Sequence, residues 1–217
     1  QYFRLTHGEH SVLLMDAPPA TEDIDAYIKI DQYLLSAGLR APKIQLLDRE
    51  NGFAIIEDFG HNTYTQLLNR GDDARPLYQL AVDVLARVHS DLDVSKLDVP
   101  RYDSGFYQDE ADLLIDWYWL AKTGEPISTA LRNQYRTIWA SLIANLAPID
   151  ECLVLRDYHV DNLMVINNEQ GLDACGLLDF QDGLIGSTAY DMVSLFEDAR
   201  RDVDQQMAAD IKANYLK

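Results

Sequence analysis

Two short stretches of the chain hold residues whose types and spacing suit the transfer of a phosphoryl group. In Leu155-Arg156-Asp157-Tyr158-His159-Val160-Asp161-Asn162, an aspartate that directly follows an apolar run is followed five positions later by an asparagine. A carboxylate placed there can accept or orient the proton of an acceptor hydroxyl. An amide brought back by one tight loop can hold a magnesium ion that offsets charge between phosphates. The second stretch, Leu178-Asp179-Phe180-Gln181-Asp182, puts another aspartate 17 residues after Asn162, again at the end of an apolar run. A second reading stays open, in which Asp157 and Asp179 cap loops and Asn162 caps a turn. The order of the three residues and their strand-end positions favour the chemical reading.

The elements that must position these residues are legible in the hydrophobic pattern. Ser11 to Met15 is a short apolar run ended by Ala17-Pro18-Pro19, after which Thr21 offers an N-cap. Ile24, Tyr27, Ile28, Leu34 and Leu35 then recur at helical spacing until Gly38. Lys43 to Asp48 and Phe53 to Glu57 flank Asn51-Gly52, a pair suited to the positive φ of a tight turn, and read as a hairpin. From Asn62 onward the periodicity is helical. Leu77, Leu80, Ala81, Val84, Leu85 and Val88 form one stripe, and helices are expected over Gln108 to Lys122 and Ser128 to Leu146, the last closed by Pro148. Leu153-Val154-Leu155 and Gly176-Leu177-Leu178 read as buried strands that each end in a polar cluster, and Glu197 to Asp202 as a solvated helix face. Tyr190-Asp191 is expected to cap the helix running from Met192 to Phe196.

Composition narrows the partner. With 217 residues and 47% hydrophobic content the chain can fill a sizeable core. A formal charge of -18 argues against nucleic acid, whose phosphates are held by Lys and Arg, so a small molecule is expected. The two cysteines, Cys152 and Cys175, lie beside or within apolar runs and read as core thiols in a reducing cytoplasm. No apolar stretch has the ~20 residues needed to span a bilayer.

Through Asp157 to Asn162, Leu178-Asp179-Phe180-Gln181-Asp182, and Gly186 to Tyr190-Asp191, the sequence resembles the aminoglycoside phosphotransferase and choline kinase branch of the protein-kinase-like fold. Gln181 stands where protein kinases carry the glycine of Asp-Phe-Gly, so the mobile activation switch of signalling kinases is not indicated. The resemblance covers most of the chain and implies an α+β, two-lobed architecture. An incomplete N-terminal sheet lobe over residues 1–57 would bind nucleotide, and a mainly helical lobe over 58–217 would carry catalysis and the acceptor site. It further implies ATP and Mg2+ as cofactors, Asp157 as base, and Asn162 with Asp179 as metal ligands. A hinge at Ile55 to Gly60 would let the main chain of Glu57, Asp58 and Phe59 meet adenine.

Within that branch, Met15-Asp16-Ala17-Pro18-Pro19 and Asp157-Tyr158-His159 look most like the bacterial cell-wall-recycling amino-sugar kinases, which phosphorylate the anomeric hydroxyl of N-acetylmuramate and N-acetylglucosamine. An amino sugar is therefore the implied acceptor, with Tyr158, His159, Asp182, Glu110 and Trp117 as candidate contacts. For Trp117 ordinary aromatic packing is a competing account. Two features depart from the kinase pattern. The strand Ser11 to Asp16 carries no lysine, and no glycine-rich loop is present. Gln1-Tyr2-Phe3-Arg4 looks like the tail of such a loop, and Arg4 is the candidate to supply the missing cation to the phosphates. Phosphorylation of an aminoglycoside antibiotic and a non-catalytic binding module are the alternatives.

Overall fold

The computed structural model describes residues 1–91, 93–146 and 150–216. Its N-terminal part is a four-stranded antiparallel sheet of order β1-β2-β4-β3, built from β1 (Tyr2–His7), β2 (His10–Asp16), β3 (Ile44–Asp48) and β4 (Phe53–Glu57). Of Gln1 to Arg4, the residues Tyr2 to Arg4 lie in the edge strand β1, where Tyr2 pairs with Met15 and Arg4 with Leu13 across a hairpin that turns at Gly8. The Asn51-Gly52 turn forms as expected. Gly52 has φ +75°, and a Cβ there would meet the Ala17 carbonyl oxygen at 2.1 Å. Only glycine lets the hairpin lie against Ala17, whose N–H donates to the Gly52 carbonyl at 2.9 Å.

Helix α1 (Ile24–Ser36) follows β2, and its buried Ile30 and Leu34 share a core with Met15 and Ile56 of the sheet. Its N-cap is Asp23, whose carboxylate accepts from Asp25 N and Ala26 N, and not Thr21, whose hydroxyl donates to Pro18 O. The remainder is mainly helical: α2 (Tyr64–Asn69), α3 (Ala74–Asp91), α4 (Ser104–Leu113), α5 (Trp119–Thr123), α6 (Thr129–Ala144), α7 (Ala189–Phe196) and α8 (Gln205–Tyr215). The expected helix over Gln108 to Lys122 forms within a continuous helical run from Ser104 to Thr123, whose α4 and α5 parts are joined by a π segment over Leu114–Tyr118. Pro148 lies outside the described residues. Glu197 to Asp202 is not helical; it is the connection between α7 and α8.

Two small hairpin-like sheets carry the polar clusters. β5 (Glu151–Val154) pairs with β8 (Leu184–Ser187), and β6 (Leu163–Val165) with β7 (Cys175–Leu177). One hydrophobic core runs from Met15 and Ile30 through Tyr64 and Leu85 to Leu153, Phe180 and Ile211, so the sheet and the helices share a single interior. Both cysteines are buried in it or in the adjoining cluster around β5. The two parts are also joined through the backbone: Leu177 N donates to Arg40 O at 2.8 Å, and the Phe180 ring stacks on Tyr27 with centroids 5.1 Å apart.

Asp31 on α1 is 1% exposed, and its Oδ1 has no hydrogen-bond partner among the described residues. Burial, with Glu57 nearby, pushes its carboxyl up to about 7. The folded chain thus holds this proton more tightly than the unfolded chain, in which the group titrates near 3.8. The stability it contributes is complete below about pH 4 and is lost as pH rises toward 7. Asp31→Asn, neutral throughout, should gain stability relative to the parent between pH 5 and pH 8 in denaturant titrations. Parallel pH profiles for the two proteins would contradict the assignment.

Candidate active site

The site is built where β5 ends. Asp191, 1% exposed on α7, accepts from Leu155 N at 2.7 Å and Arg156 N at 2.9 Å, and Ser194 Oγ one turn later donates to Arg156 O at 3.0 Å. Asp191 is therefore no helix cap. Thr188 occupies the N-cap of α7, and the Asp191 carboxylate instead terminates the strand β5. Burial pushes this carboxyl up to about 7 against the two N–H donors, with Asp157 adding to the rise. Gripped in this way, Arg156 adopts φ +67°, a conformation that costs a non-glycine residue about 1–3 kcal/mol and is found preferentially at functional sites. The turn continues with Asp157 N on Leu155 O, His159 N on Asp157 O and Asn162 N on His159 O, at 2.9, 3.1 and 2.9 Å.

This tight loop returns Asn162 to Asp157. Asn162 Nδ2 donates to Asp157 O at 3.0 Å and to Asp179 Oδ2 at 3.3 Å. Asp179 follows β7 with φ +59°, and its other oxygen accepts from Gln181 Nε2 at 2.8 Å. Leu178 N donates to Asn162 O at 3.0 Å and ties the two loops together. Asp157 and Asp179 are exposed while the residues behind them are buried, so two carboxylates and one amide face solvent from a rigid base. A carboxylate and a neutral amide oxygen suit a hard divalent cation that completes its shell with water and phosphate oxygens.

Two hollows flank these residues. One of about 300 Å³ is lined by Leu13, Ile56, Tyr27, Pro42 and Leu178 and ends at Asn162 and Asp179, a mostly apolar slot with an oxygen-rich end. The other, about 510 Å³, has Asp157, Arg156 and His159 on its wall, with Tyr107, Tyr190 and Arg200 around them. Asp157 belongs to the second hollow and Asp179 to the first, with Asn162 between them.

The remaining expected residues fall into different places. His159 lines the larger hollow. Tyr158 does not reach it: at 2% exposure the ring lies in the core and its hydroxyl donates to Ala81 O at 2.8 Å. Glu110 accepts from Arg156 Nη2 at 2.7 Å and from the Tyr190 hydroxyl at 3.4 Å, so it orients the wall of the hollow. Trp117 is 72% exposed on the π turn, and Asp182 is exposed; neither lines the hollow that holds Asp157. Arg4 is held at the hinge: Nε and Nη2 donate to the two Asp58 oxygens at 2.6 and 2.9 Å, and Nη2 also donates to Gly60 O at 2.8 Å. Burial alone would raise the Asp58 carboxyl, yet the donors Arg4, Gly60 and Ser11 keep it below its usual value. Glu57 is paired with Arg40 at 2.7 Å, which also lies over the Phe59 ring. The hinge side chains are thus occupied with one another, and the described residues lining the apolar slot include no lysine or arginine.

Sequence reading missed Arg156 and Arg200, and it gave Asp191 the wrong task. A carboxylate inside the otherwise apolar Ala189–Phe196 was the available signal, since a buried acid requires donors from elsewhere in the chain.

A model of the phosphotransferase enzyme family (APH) matches residues 1–216. Among curated proteins, the N-acetylmuramate/N-acetylglucosamine kinases of Pseudomonas aeruginosa and Pseudomonas putida are each 34% identical to this chain over 92% of its length. The chain spans 56% of the length of each of those relatives. The gentamicin complex of APH(2'')-IIa superposes with a TM-score of 0.67 at 18% identity, covering 100% of this chain and 76% of its own. A choline/ethanolamine kinase family protein from Mesorhizobium loti superposes with a TM-score of 0.61 at 13% identity, covering 100% and 69%.

The grip of Asp191 on the loop is open to direct test. Asp191→Asn keeps the shape but sets an NH2 group against one of two buried N–H donors, an uncompensated contact worth about 1–3 kcal/mol. Turnover of the acceptor should fall roughly ten- to hundredfold while the circular-dichroism spectrum is retained. Unchanged turnover would show that the loop holds its form without this carboxylate.

Proposed function

The chain belongs to the phosphotransferase enzyme family, and on that basis we propose that it moves the terminal phosphoryl group of ATP, with magnesium, onto the anomeric hydroxyl of an N-acetylated amino sugar. The observation that carries this reading is the Asn162 amide, which contacts both the Asp157 loop and the Asp179 carboxylate and so joins the slot that ends at Asp179 to the hollow that holds Asp157. The names of the 34%-identical relatives support the choice of acceptor.

In this reading residues 1–57 carry the nucleotide and residues 58–217 carry the base and the acceptor. Adenine enters the slot between Leu13, Ile56 and Leu178, and the main chain of Glu57, Asp58 and Phe59, which follow Ile56 in sequence, would provide its polar contacts. Magnesium, held by Asn162 and Asp179, would offset the phosphate charge that no lysine meets on β2. Asp157 orients the sugar hydroxyl and takes its proton as the new oxygen–phosphorus bond forms. His159 bounds the acceptor hollow, and Glu110 keeps Arg156 in its wall.

Incubation with ATP, magnesium and a panel of N-acetylmuramate, N-acetylglucosamine, kanamycin and choline should release ADP with the two sugars. Release with kanamycin alone would point to the antibiotic reading, and release with none to a binding module. Two substitutions separate the roles. Asp157→Asn should cut turnover by about a hundredfold or more with nucleotide affinity little changed. Asp179→Ala should abolish magnesium-dependent nucleotide binding in calorimetric titration. A variant Asp157→Asn with near-parental turnover would remove the base from the scheme.

A further inference from the structure

The hollow beside Asp157 holds two arginines in a protein whose formal charge is -18, and they are not in the same condition. Arg156 is half-buried and its Nη2 is taken by Glu110. Arg200 stands at the rim with 56% of its side chain exposed. Its own backbone N–H and its Nη1 both donate to Asp198 Oδ1, at 3.1 and 2.9 Å, and the Asp198 side chain is only 5% exposed. That buried carboxylate anchors one end of the guanidinium. Nε is ion-paired with Asp161 Oδ2 at 3.6 Å, a separation too long for a hydrogen bond, and the other Asp161 oxygen accepts from the Thr65 hydroxyl. Among the described residues Nη2 makes no hydrogen bond. A guanidinium anchored at one end thus lines the same hollow of about 510 Å³ as Asp157.

We propose that Arg200 recognises a carboxylate on the acceptor, so that the site discriminates for an acidic amino sugar, N-acetylmuramate, over neutral N-acetylglucosamine. The proposal rests on the amino-sugar reading above. The two sugars differ by the lactyl ether of N-acetylmuramate, which brings a carboxylate two carbons round the ring from the anomeric centre. With the anomeric hydroxyl at Asp157, the lactyl group can extend along the wall toward the rim. A guanidinium held at one end retains a free edge for planar, charge-assisted contact with a carboxylate, and it gives up less rotamer freedom on binding than an unanchored side chain. N-acetylglucosamine would leave that edge to water.

The test compares initial rates with both sugars for the parent, Arg200→Gln and Arg200→Lys at fixed ATP and magnesium. The methyl ester of N-acetylmuramate, which keeps the lactyl chain without its charge, is included as a third acceptor. Loss of a charge-assisted contact predicts that the kcat/KM ratio of N-acetylmuramate to N-acetylglucosamine falls about tenfold or more in Arg200→Gln, mainly through KM for N-acetylmuramate. Arg200→Lys should lie between, and in the parent the methyl ester should show a similar handicap. An unchanged ratio, or a parallel fall for both sugars, overturns the role of Arg200. A parent active on N-acetylglucosamine alone overturns it as well and leaves the sugar-kinase reading standing. A parent active on neither sugar overturns both.

Discussion

A buried carboxylate with two backbone donors sets the geometry on which the rest of the site depends. Asp191 takes Leu155 N and Arg156 N, and so ends β5 at a fixed residue. Without that termination the strand has no reason to turn, because Leu155 is as apolar as the residues before it. With it, Arg156 is held in the left-handed region and Asp157 emerges at the surface. The arrangement opposes two costs, desolvation of the carboxylate and strain at Arg156, with the packing of Met192, Leu195 and Phe196 on the same helix.

From that turn the connections run outward in both directions. Asn162 binds the loop after β5 to the loop after β7, Leu177 binds β7 to Arg40 in front of the N-terminal sheet, and Phe180 rests on Tyr27 of α1. The slot and the hollow are therefore linked through the hydrogen bonds of Asn162 to Asp157 and Asp179. An in-line transfer between two bound molecules requires such a fixed link, since misplacement by an ångström costs orders of magnitude in rate.

What was legible in the sequence was local. The spacing from Asp157 to Asn162, the strand ends before them, the Asn51-Gly52 turn and the stripe on α3 all depend on residues close in the chain, and each appears in the fold. What was not legible depends on contacts across it. Arg4 reads as free for phosphate until Asp58, 54 positions away, occupies its guanidinium. Tyr158, flanked by candidates for the site, turns inward because a donor-satisfying carbonyl, Ala81 O, lies beneath it. The charged run from Glu197 to Asp202 looks like a helix face by composition, but it connects α7 to α8 and carries Arg200 to the rim of the hollow. Periodicity does not see a π turn either, since one extra residue in the Leu114–Tyr118 segment leaves the surrounding pattern almost unaltered.

In an acidic chain, two arginines line the hollow beside Asp157, each paired with a carboxylate. The account stands on one chemical outcome, a new phosphate on the anomeric oxygen of an amino sugar. A phosphorus–proton correlation spectrum of the product reads that position directly. The account predicts a phosphate doublet correlated with the anomeric proton. Correlation with another ring proton or with the exocyclic methylene instead, or ADP formed with no phosphosugar signal, would contradict it.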